Sequence, residues 1–587
     1  MERFSIFLIT AAMIVGMVDC TPGPTQHNLT ISITEGGELV TPGEATSTYN
    51  EGTVVPLVAF PHTGYRFVNW TGDVGAIDDV NAASTTITIQ GNYEITANFE
   101  ETPPITFAVA GPMTEFPGEH QWWGAELACD EINTGTGINV GGVYHKVQLV
   151  QVDTNEMSGT PDEGITALQA VIDDVDFVVG GFKTENVAVY RDVAMEAKKI
   201  FMNCGAAPSF LQFSVVTDYD KYKCWFKAAP YNESFMVKSL LKMVSTVGGI
   251  LKQTLTALEA GNPAYVKDEY KLSLAEGGRL RVHILREDEV WSTVMTAAAQ
   301  YYLPRLGYTV TGKTLVSPTA ADITTEVNAI KALNPHIIFT MLSGSVGAVY
   351  STTKADLGIP AMTIGINVEG EQKSHWANTD GKCNGEIMLD DWAEGLQNTA
   401  KTTVFFNEFV AKTGEYPIYT AGTYDAIYSL KEAIEAVSAA HSWDDITDVV
   451  DPANVDALIQ YLETSSYTGV AGTSAHYSRP DIDLGGGVYA LSDAQVRALY
   501  SSLATYNQTN WLCAVSGGPH IAHDLVYGPG YQTGIGSQWQ DGHKVGVWPM
   551  DLGDASDAVL TDQYGCWNFE YPGTVDVMIP IEEFLAS

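Results

Sequence analysis

Two short loops carry the residues best suited to binding a ligand. Lys183 and Thr184 follow a glycine pair and open a stretch whose apolar residues recur at helical spacing. The start of a helix offers unpaired N–H groups to an anion, and a lysine beside it adds positive charge. A second loop, Cys204 to Pro208, follows the next apolar run. These residue types indicate a site for a small molecule.

The elements around the loops form a strand, a helix and a second strand. Phe177 to Val179 and Ile200 to Met202 are apolar runs of strand length on either side of the helical stretch. Such a unit requires a parallel sheet. Ligands of parallel sheets bind beyond the carboxyl ends of the strands, which is where both loops fall. The two loops are therefore predicted to form one wall of the site.

Composition limits the partners of the chain. Its 587 residues are 45% hydrophobic, enough for several packed domains. The 30 Lys and Arg residues face 71 Asp and Glu residues, which gives a net charge of −41. This charge repels a phosphate backbone and an anionic bilayer surface. Nucleic acid is therefore excluded as a partner, and contact with a membrane is expected only through an N-terminal anchor.

Motifs that would indicate an enzyme or a metal site do not occur in the sequence. There is no GxSxG, no HExxH, no glycine-rich phosphate loop and no CxxC pair. His520, His523 and Asp524 could chelate a cation, but they lie in a Pro/Gly-rich stretch without further ligands nearby, which favours a loop or turn role. We expect no catalytic residue, no metal and no cofactor.

The first 20 residues resemble a targeting segment. Arg3 precedes an apolar run, Ile6 to Val18, and Cys20 follows directly. The segment predicts export, to the periplasm or the cell surface, and Cys20 resembles the lipid-modified cysteine of bacterial lipoproteins. Simple cleavage and an uncleaved anchor are the alternatives. Six later cysteines permit disulfides, but the sequence does not choose among their pairings.

Residues 28–100 have the alternating pattern and tight turns of a small all-β domain. The strings GYRFVNWTGDV, Gly64 to Val74, and ITANFE, Ile95 to Glu100, resemble the bacterial-repeat modules of cell-surface proteins, which are internalin B-repeat-like. Trp70 is either a ligand platform or, as the small core favours, a buried side chain. Residues 101–104 form a short stiff linker.

From Ile105 onward strands and helices alternate, which predicts a doubly wound α/β domain over 105–587. The motifs GAELACDEIN, FKAAP, NPHIIF, DLGIP and TYDAIYSLKEAIE follow one another in the order typical of type 1 periplasmic binding proteins of the branched-chain amino-acid (Leu/Ile/Val) receptor group, the substrate-binding proteins of ABC importers. The resemblance implies two lobes of doubly wound parallel sheets joined by three crossings. Lobe 1 would hold about 105–229 and 392–470, and lobe 2 about 230–391 and 475–587.

One segment departs from this pattern. The stretch 248–278 is longer than the family's usual link, and its leucine spacing predicts an inserted helix on the surface of lobe 2.

The resemblance also implies a ligand site in the first lobe. Thr184 falls where the family places a hydroxyl for the ligand's carboxylate, although it could simply cap the helix, and Lys183 could add charge. Ala206 and Ala207 match small residues whose backbone faces the ligand. Pro208 replaces a common threonine and so removes a donor.

Further positions of the implied site come from both lobes. Trp291 and Tyr419 align with aromatic residues that cover the ligand, with core packing as the alternative. Asn367 stands where amino-acid receptors often carry an acid, and Glu369 or Glu371 could supply that charge instead. The remaining candidates lie on loops facing the cleft: Phe116, Phe182 and Ser343.

The family implies a receptor that traps a small polar molecule between its lobes and presents it to an ABC permease. Its ligand would be an amino acid, an amide or a related compound. Two alternatives stay open from the sequence: a ligand sensor without transport, and a surface adhesion protein whose 28–100 module binds a wall or a partner.

Overall fold

The computed structural model describes residues 23–157, 159–443, 445–478, 521–527, 531–549 and 572–586. The predicted targeting segment with Cys20 lies outside these residues, as does His520. The chain divides into two compact units, and the boundary in the sequence falls between Thr102 and Pro103.

The first unit is a small all-β module of two sheets. A four-stranded sheet in the order β3-β1-β7-β5 and a three-stranded sheet in the order β2-β4-β6 enclose a core that includes Leu29, Leu57 and Ile87. Trp70 is 2% exposed and donates its indole N–H to the Ala82 carbonyl at 3.0 Å, which confirms its core role. The strands are β1 Gln26–Ile33, β2 Gly37–Thr41, β3 Ala45–Asn50, β4 Val54–Pro61, β5 Tyr65–Gly72, β6 Ser84–Thr88 and β7 Tyr93–Glu101.

The second unit begins with a parallel five-stranded sheet. Its order is β11-β8-β12-β13-β14, and every residue of β8 is buried because helices cover both faces. A small hairpin, β9 Ile138–Val140 and β10 Val143–His145, lies outside this sheet. The other elements are β8 Ile105–Gly111, α1 Phe116–Thr134, β11 Val147–Asp153, α2 Pro161–Gln169, β12 Phe177–Gly180, α3 Thr184–Glu196, β13 Phe201–Asn203, α4 Phe210–Thr217, α5 Tyr219–Tyr222 and β14 Trp225–Lys227.

A second, seven-stranded sheet has the order β16-β15-β17-β18-β19-β22-β23. The strands from β16 to β19 are parallel, and the hairpin β22–β23 adds antiparallel to β19. The predicted parallel lobe therefore has an antiparallel edge. Its elements are α6 Glu233–Gly261, β15 Arg281–Glu287, α7 Val290–Tyr302, β16 Thr309–Val316, α8 Thr324–Lys331, β17 Ile337–Leu342, α9 Val346–Asp356, β18 Met362–Asn367, α10 Ser374–Asn378, β19 Ile387–Asp390, β22 Ile535–Gln540 and β23 His543–Trp548.

Between β19 and β22 the chain returns to the first sheet. Thr423, in α12, donates its hydroxyl to the Gln121 carbonyl of α1 at 2.7 Å, so these helices complete the first lobe. The lobe limits predicted from the sequence assign residues after 475 to lobe 2, whereas His476 and His523 lie against Phe226, next to the first sheet. The returning elements are α11 Thr402–Thr413, α12 Thr423–His441, α13 Ile446–Val450, α14 Val455–Thr464, β20 Ser466–Thr468 and β21 Thr473–Ala475.

Helix α6 differs from its prediction. It runs without a break from Glu233 to Gly261, so Leu251 and Leu255 belong to this helix and are fully buried. There is no separate surface helix within 248–278; short 3₁₀ turns follow α6 instead. By length and composition α6 could cross a membrane, but 83% of its most apolar 18-residue stretch is buried inside the protein, as in a core helix.

Candidate functional site

A cleft lies between the two sheets, with a volume of about 850 Å³ that includes space open to solvent. It opens at the carboxyl ends of the strands, as the parallel topology predicts. The first lobe contributes the α3 start and the loop after β13, and the second contributes residues after β15, β17, β18 and β19. Seven of the predicted residues line it: Phe182, Lys183, Thr184, Ala207, Trp291, Ser343 and Tyr419.

Thr184 is the first residue of α3, and Lys183 occupies the N-cap position without a side-chain capping hydrogen bond. The Thr184 side chain therefore does not cap, contrary to the alternative that the sequence left open. It is 3% exposed and lines the cleft. A hydroxyl that is buried beside a cavity and not used as a cap is available to a ligand.

A buried carboxylate fixes the loop before α3. Glu156 is fully buried and accepts hydrogen bonds from the backbone N–H groups of Phe182, at 3.1 Å, and Lys183. It also accepts from the hydroxyls of Thr154 and Tyr190, both at 2.7 Å. Burial raises the pKa of Glu156, and these four donors oppose the rise. Two of the N–H groups that an anion could have used are thus already bound within the protein.

A buried lysine fixes the second loop. Lys227 is fully buried and donates from Nζ to the carbonyl oxygens of Ala206, at 2.7 Å, and Ala207, at 2.8 Å. Burial lowers its pKa to about 8, while Asp524 and Glu233 act in the opposite direction. Lys227 therefore holds the wall of the cleft from behind. Its position in FKAAP gave no signal of this role in the sequence.

Three candidate residues do not line the cleft. The N–H and C=O of Ala206 both bond to the Asn203 side chain, so its backbone faces inward. Asn367 is 2% exposed, and its Oδ1 accepts from the Gly370 N–H at 3.2 Å. Phe116 is partly buried against the core at the start of α1. These three residues belong to the packing behind the cleft lining, and their contact with a ligand stays a prediction.

The acidic end of the cleft is formed by Glu371, Asp390 and Asp391. Asp390 accepts from Lys544 Nζ at 2.6 Å, with both side chains fully buried. Glu371 Oε2 accepts from the Tyr419 N–H at 3.2 Å. Burial raises the pKa of Glu371, and the nearby Asp390 adds to the rise. Glu371 was considered from the sequence; the aspartate pair was missed, although it directly follows an apolar strand.

The lobes touch each other at the rim of the cleft. Lys183 Nζ lies 3.2 Å from Glu289 Oε1, and Glu185 accepts from the Val290 N–H at 3.1 Å. Burial raises the pKa of Glu289, and the neighbouring Glu185 carboxylate adds to the rise. Both contacts join α3 of the first lobe to the start of α7 of the second. They are contacts that an opening of the cleft would break.

His523 and Asp524, the two described residues of the predicted tail cluster, each contact other parts of the protein. His523 is fully buried, with Nε2 2.9 Å from Glu463 Oε1, and its ring stacks on Phe226. Asp524 instead accepts from Asn232 at 2.7 Å. Across the described residues, no group of three or more His, Cys, Asp or Glu side chains is arranged to hold a metal ion. The described cysteines, Cys129, Cys204, Cys224 and Cys383, are free thiols.

Two α/β lobes linked by chain crossings around a cleft define the type 1 periplasmic-binding-protein fold. Residues 105–491 match the periplasmic binding protein family. The chain therefore belongs to this family. Residues 27–103 match the divergent InlB B-repeat domain, which confirms the resemblance of the β module. No curated protein is similar enough to the chain to count as a match.

Solved structures with the same fold include three with a TM-score of 0.50. A solute-binding protein of an ABC transporter from Rhodopseudomonas palustris, in complex with benzoate, is 14% identical; the match covers 79% of this chain and 99% of that one. A putative branched-chain amino acid ABC transporter protein from Silicibacter pomeroyi is 18% identical, with 77% and 98% covered. An extracellular ligand-binding receptor from Rhodopseudomonas palustris HaA2 is 15% identical, with 76% and 99% covered.

Proposed function

We propose that the protein is an extracytoplasmic solute-binding receptor, which traps a small polar molecule between its lobes and delivers it to an ABC importer. The cleft lining carries this proposal: Thr184 comes from the first lobe and Trp291 from the second. A molecule held there touches both lobes at once. The protein binds this molecule without chemical turnover, in keeping with the solute-binding proteins that share its family and fold.

The mechanism of the receptor is closure of the two lobes around the ligand. Interactions that a ligand makes with both lobes exist only when the cleft is closed, so the ligand shifts the population toward the closed state. The permease binds that closed state and accepts the solute, and other subunits hydrolyse ATP. The contacts of Lys183 and Glu185 with the second lobe favour closure.

Location follows from the N-terminal segment. We place the protein outside the cytoplasmic membrane, in the periplasm or at the cell surface, anchored by its N-terminus through a lipid on Cys20. The β module then acts as a spacer between the anchor and the receptor unit.

Native mass spectrometry of the purified full chain tests the proposal. We expect a co-purified small molecule that dissociates on mild activation. Substitutions in the cleft should weaken its binding. Small-angle scattering should show a decrease in the radius of gyration when the molecule is added back. A protein that binds no solute, while its β module binds cell envelope, would support adhesion instead.

Replacing Thr184 by valine should weaken binding of the co-purified solute about 2- to 10-fold. The change keeps the shape of the side chain but removes a hydroxyl, and a hydrogen bond contributes about 0.5–1.5 kcal/mol net. Isothermal titration calorimetry measures the loss. The matched control is Thr256→Val, because Thr256 is exposed on α6 and away from the cleft. An unchanged affinity in Thr184→Val would show that this hydroxyl does not contact the solute.

Replacing Lys183 by methionine should weaken binding by no more than about fivefold. The side chains of Lys183 and Glu289 are 29% and 12% exposed, and such pairs contribute about 0–1 kcal/mol. The loss should become smaller at high salt, because salt screens the pair in the parent protein. Titrations at low and high ionic strength check this. A loss of several hundredfold would mean that Lys183 contacts the solute directly.

A further inference from the structure

The acidic end of the cleft holds more carboxyl groups than bases. The side chains of Glu371, Asp390 and Asp391 line the cleft, and each residue is at most 9% exposed. Lys544 pairs with Asp390. Neither Glu371 nor Asp391 forms an ion pair within the described part of the chain. Two buried carboxyl groups therefore face the cleft without an ion pair of their own, and Lys544, the base near them, is bound to Asp390.

Asp391 is the more exceptional of these two groups. It is 9% exposed, and its carboxylate accepts no hydrogen bond from any described residue. Glu371, by comparison, accepts one from the Tyr419 backbone. Its oxygens are not closed off, because both keep some surface that is accessible from the cleft. A largely buried carboxylate without a protein donor depends on water there, and a donor on a bound molecule can replace that water.

The surroundings favour an organic cation over a metal ion. No described group of His, Cys, Asp and Glu side chains has an arrangement that could hold a metal. The walls next to the acids are apolar, with Ile366, Val368 and Leu389 lining the same cleft. Lys183 is paired with Glu289, so it does not offset the negative charge of the acidic end. Apolar walls and unpaired carboxylates together fit a carbon skeleton that carries an ammonium group.

We propose that the acidic end is an ammonium subsite and that the trapped solute is a small organic amine with a net positive charge. This inference rests on the proposed receptor function and names its class of ligand. An ammonium group has three donors, and Asp391 and Glu371 offer acceptors to them. The ring of Tyr419, which lines the same cleft, offers a π face to the cation.

The subsite makes binding dependent on pH. Burial raises the pKa of Asp391 to about 7, and the Asp390 and Asp425 carboxylates add to the rise. Below that pH a proton occupies Asp391 and competes with the ammonium group. Affinity for an amine should therefore rise as the pH is raised through about 7. The titratable groups that face the two carboxyls are Asp390, Asp425, Lys544 and Tyr419.

Two matched sets of probes test the charge of the ligand. Each set keeps one carbon skeleton and changes its head group: benzylamine, benzyl alcohol and benzoate, and pentylamine, pentanol and pentanoate. Thermal unfolding of the full chain is followed at pH 8 with each probe at millimolar concentration. We expect an amine to raise the midpoint while its alcohol and carboxylate counterparts do not.

Substitution of the acids locates the subsite. Asp391→Asn should weaken binding of the stabilising amine about 10- to 100-fold, because a charged hydrogen bond contributes about 1.5–3 kcal/mol. Without a probe, the same variant should unfold at a higher temperature than the parent, because it removes a buried charge that lacks a partner. A structural role would lower that temperature. Glu371→Gln gives a second measurement if Asp391→Asn fails to fold, and Asp220→Asn, at an exposed position, is the control.

The outcomes separate this inference from the proposed function. Stabilisation by a carboxylate or an alcohol, without any by the amines, would overturn the ammonium subsite and leave the receptor function intact. Amine binding that Asp391→Asn and Glu371→Gln do not change would overturn the location. If no probe binds and no molecule co-purifies, both proposals fail.

Discussion

Replacing Lys544 by methionine is expected to lower the free energy of unfolding by about 3–5 kcal/mol, the usual cost of removing one partner of a buried ion pair. Lys544 and Asp390 have no exposed side-chain surface, and their charged atoms are 2.6 Å apart. Ser537 also donates to the same carboxylate oxygen, at 2.8 Å. The other oxygen, Oδ1, accepts from the backbone N–H groups of Asp391 and Trp392, at 2.8 and 3.1 Å. These neutral donors stabilise the carboxylate but do not replace the positive charge of the lysine. Chemical denaturation, followed by tryptophan fluorescence, measures the loss.

A double-mutant cycle shows whether the loss of stability comes from the Asp390 carboxylate that is left without its lysine. Asp390→Asn in the Lys544→Met background should recover much of the stability, because it removes the uncompensated charge. The control Lys252→Met changes an exposed lysine on α6 and should alter stability by less than about 0.5 kcal/mol. If Lys544→Met were no more destabilising than Lys252→Met, the pair would not be buried in solution.

Replacing Glu156 by alanine is the second large effect, with an expected loss of about 3–5 kcal/mol. The carboxylate accepts from two backbone N–H groups and two hydroxyls, and each buried donor left without a partner costs about 1–3 kcal/mol, less where water can enter. The loop before α3 should also lose its fixed position. Solute affinity should therefore fall together with stability.

Glu156→Gln and Glu196→Ala separate the causes. Glutamine retains one acceptor oxygen but brings an NH₂ group toward donors, so its loss should be intermediate. Glu196 is the exposed last residue of α3, and its replacement should change stability very little. Amide hydrogen exchange at Phe182 and Lys183 reports the loop directly. Unchanged protection of these amides in Glu156→Ala would contradict the role assigned to the carboxylate.

The sequence was sufficient to predict the fold and one wall of the cleft. The strand Phe177–Gly180 and the helix that begins at Thr184 are determined by residues that are close in the sequence, so both can be predicted without a structure. The turn of the hairpin β22–β23 also depends on neighbouring residues, because Asp541 and Gly542 both have the positive φ that this turn requires.

The acidic end could not be assembled from the sequence. Glu371 and Asp391 lie on separate segments, and Lys544 reaches Asp390 only because β22 and β23 join the same sheet. No spacing rule relates residues that meet through such a topology. The aspartate pair after Ile387–Asp390 was nevertheless a usable signal, because acids at the carboxyl end of a buried strand fall where parallel sheets bind ligands.

The late hairpin has a consequence for how the protein is made. Strand β19 ends at Asp390, but the strand that covers its open edge begins only at Ile535, and Lys544 follows still later. A second lobe that formed during synthesis or export would therefore have an unpaired edge strand, and a buried aspartate without its lysine, until well over a hundred further residues had been made. A chaperone that shields β-strand edges would find its substrate in this interval, and ribosome-stalled chains ending before Ile535 would reveal it.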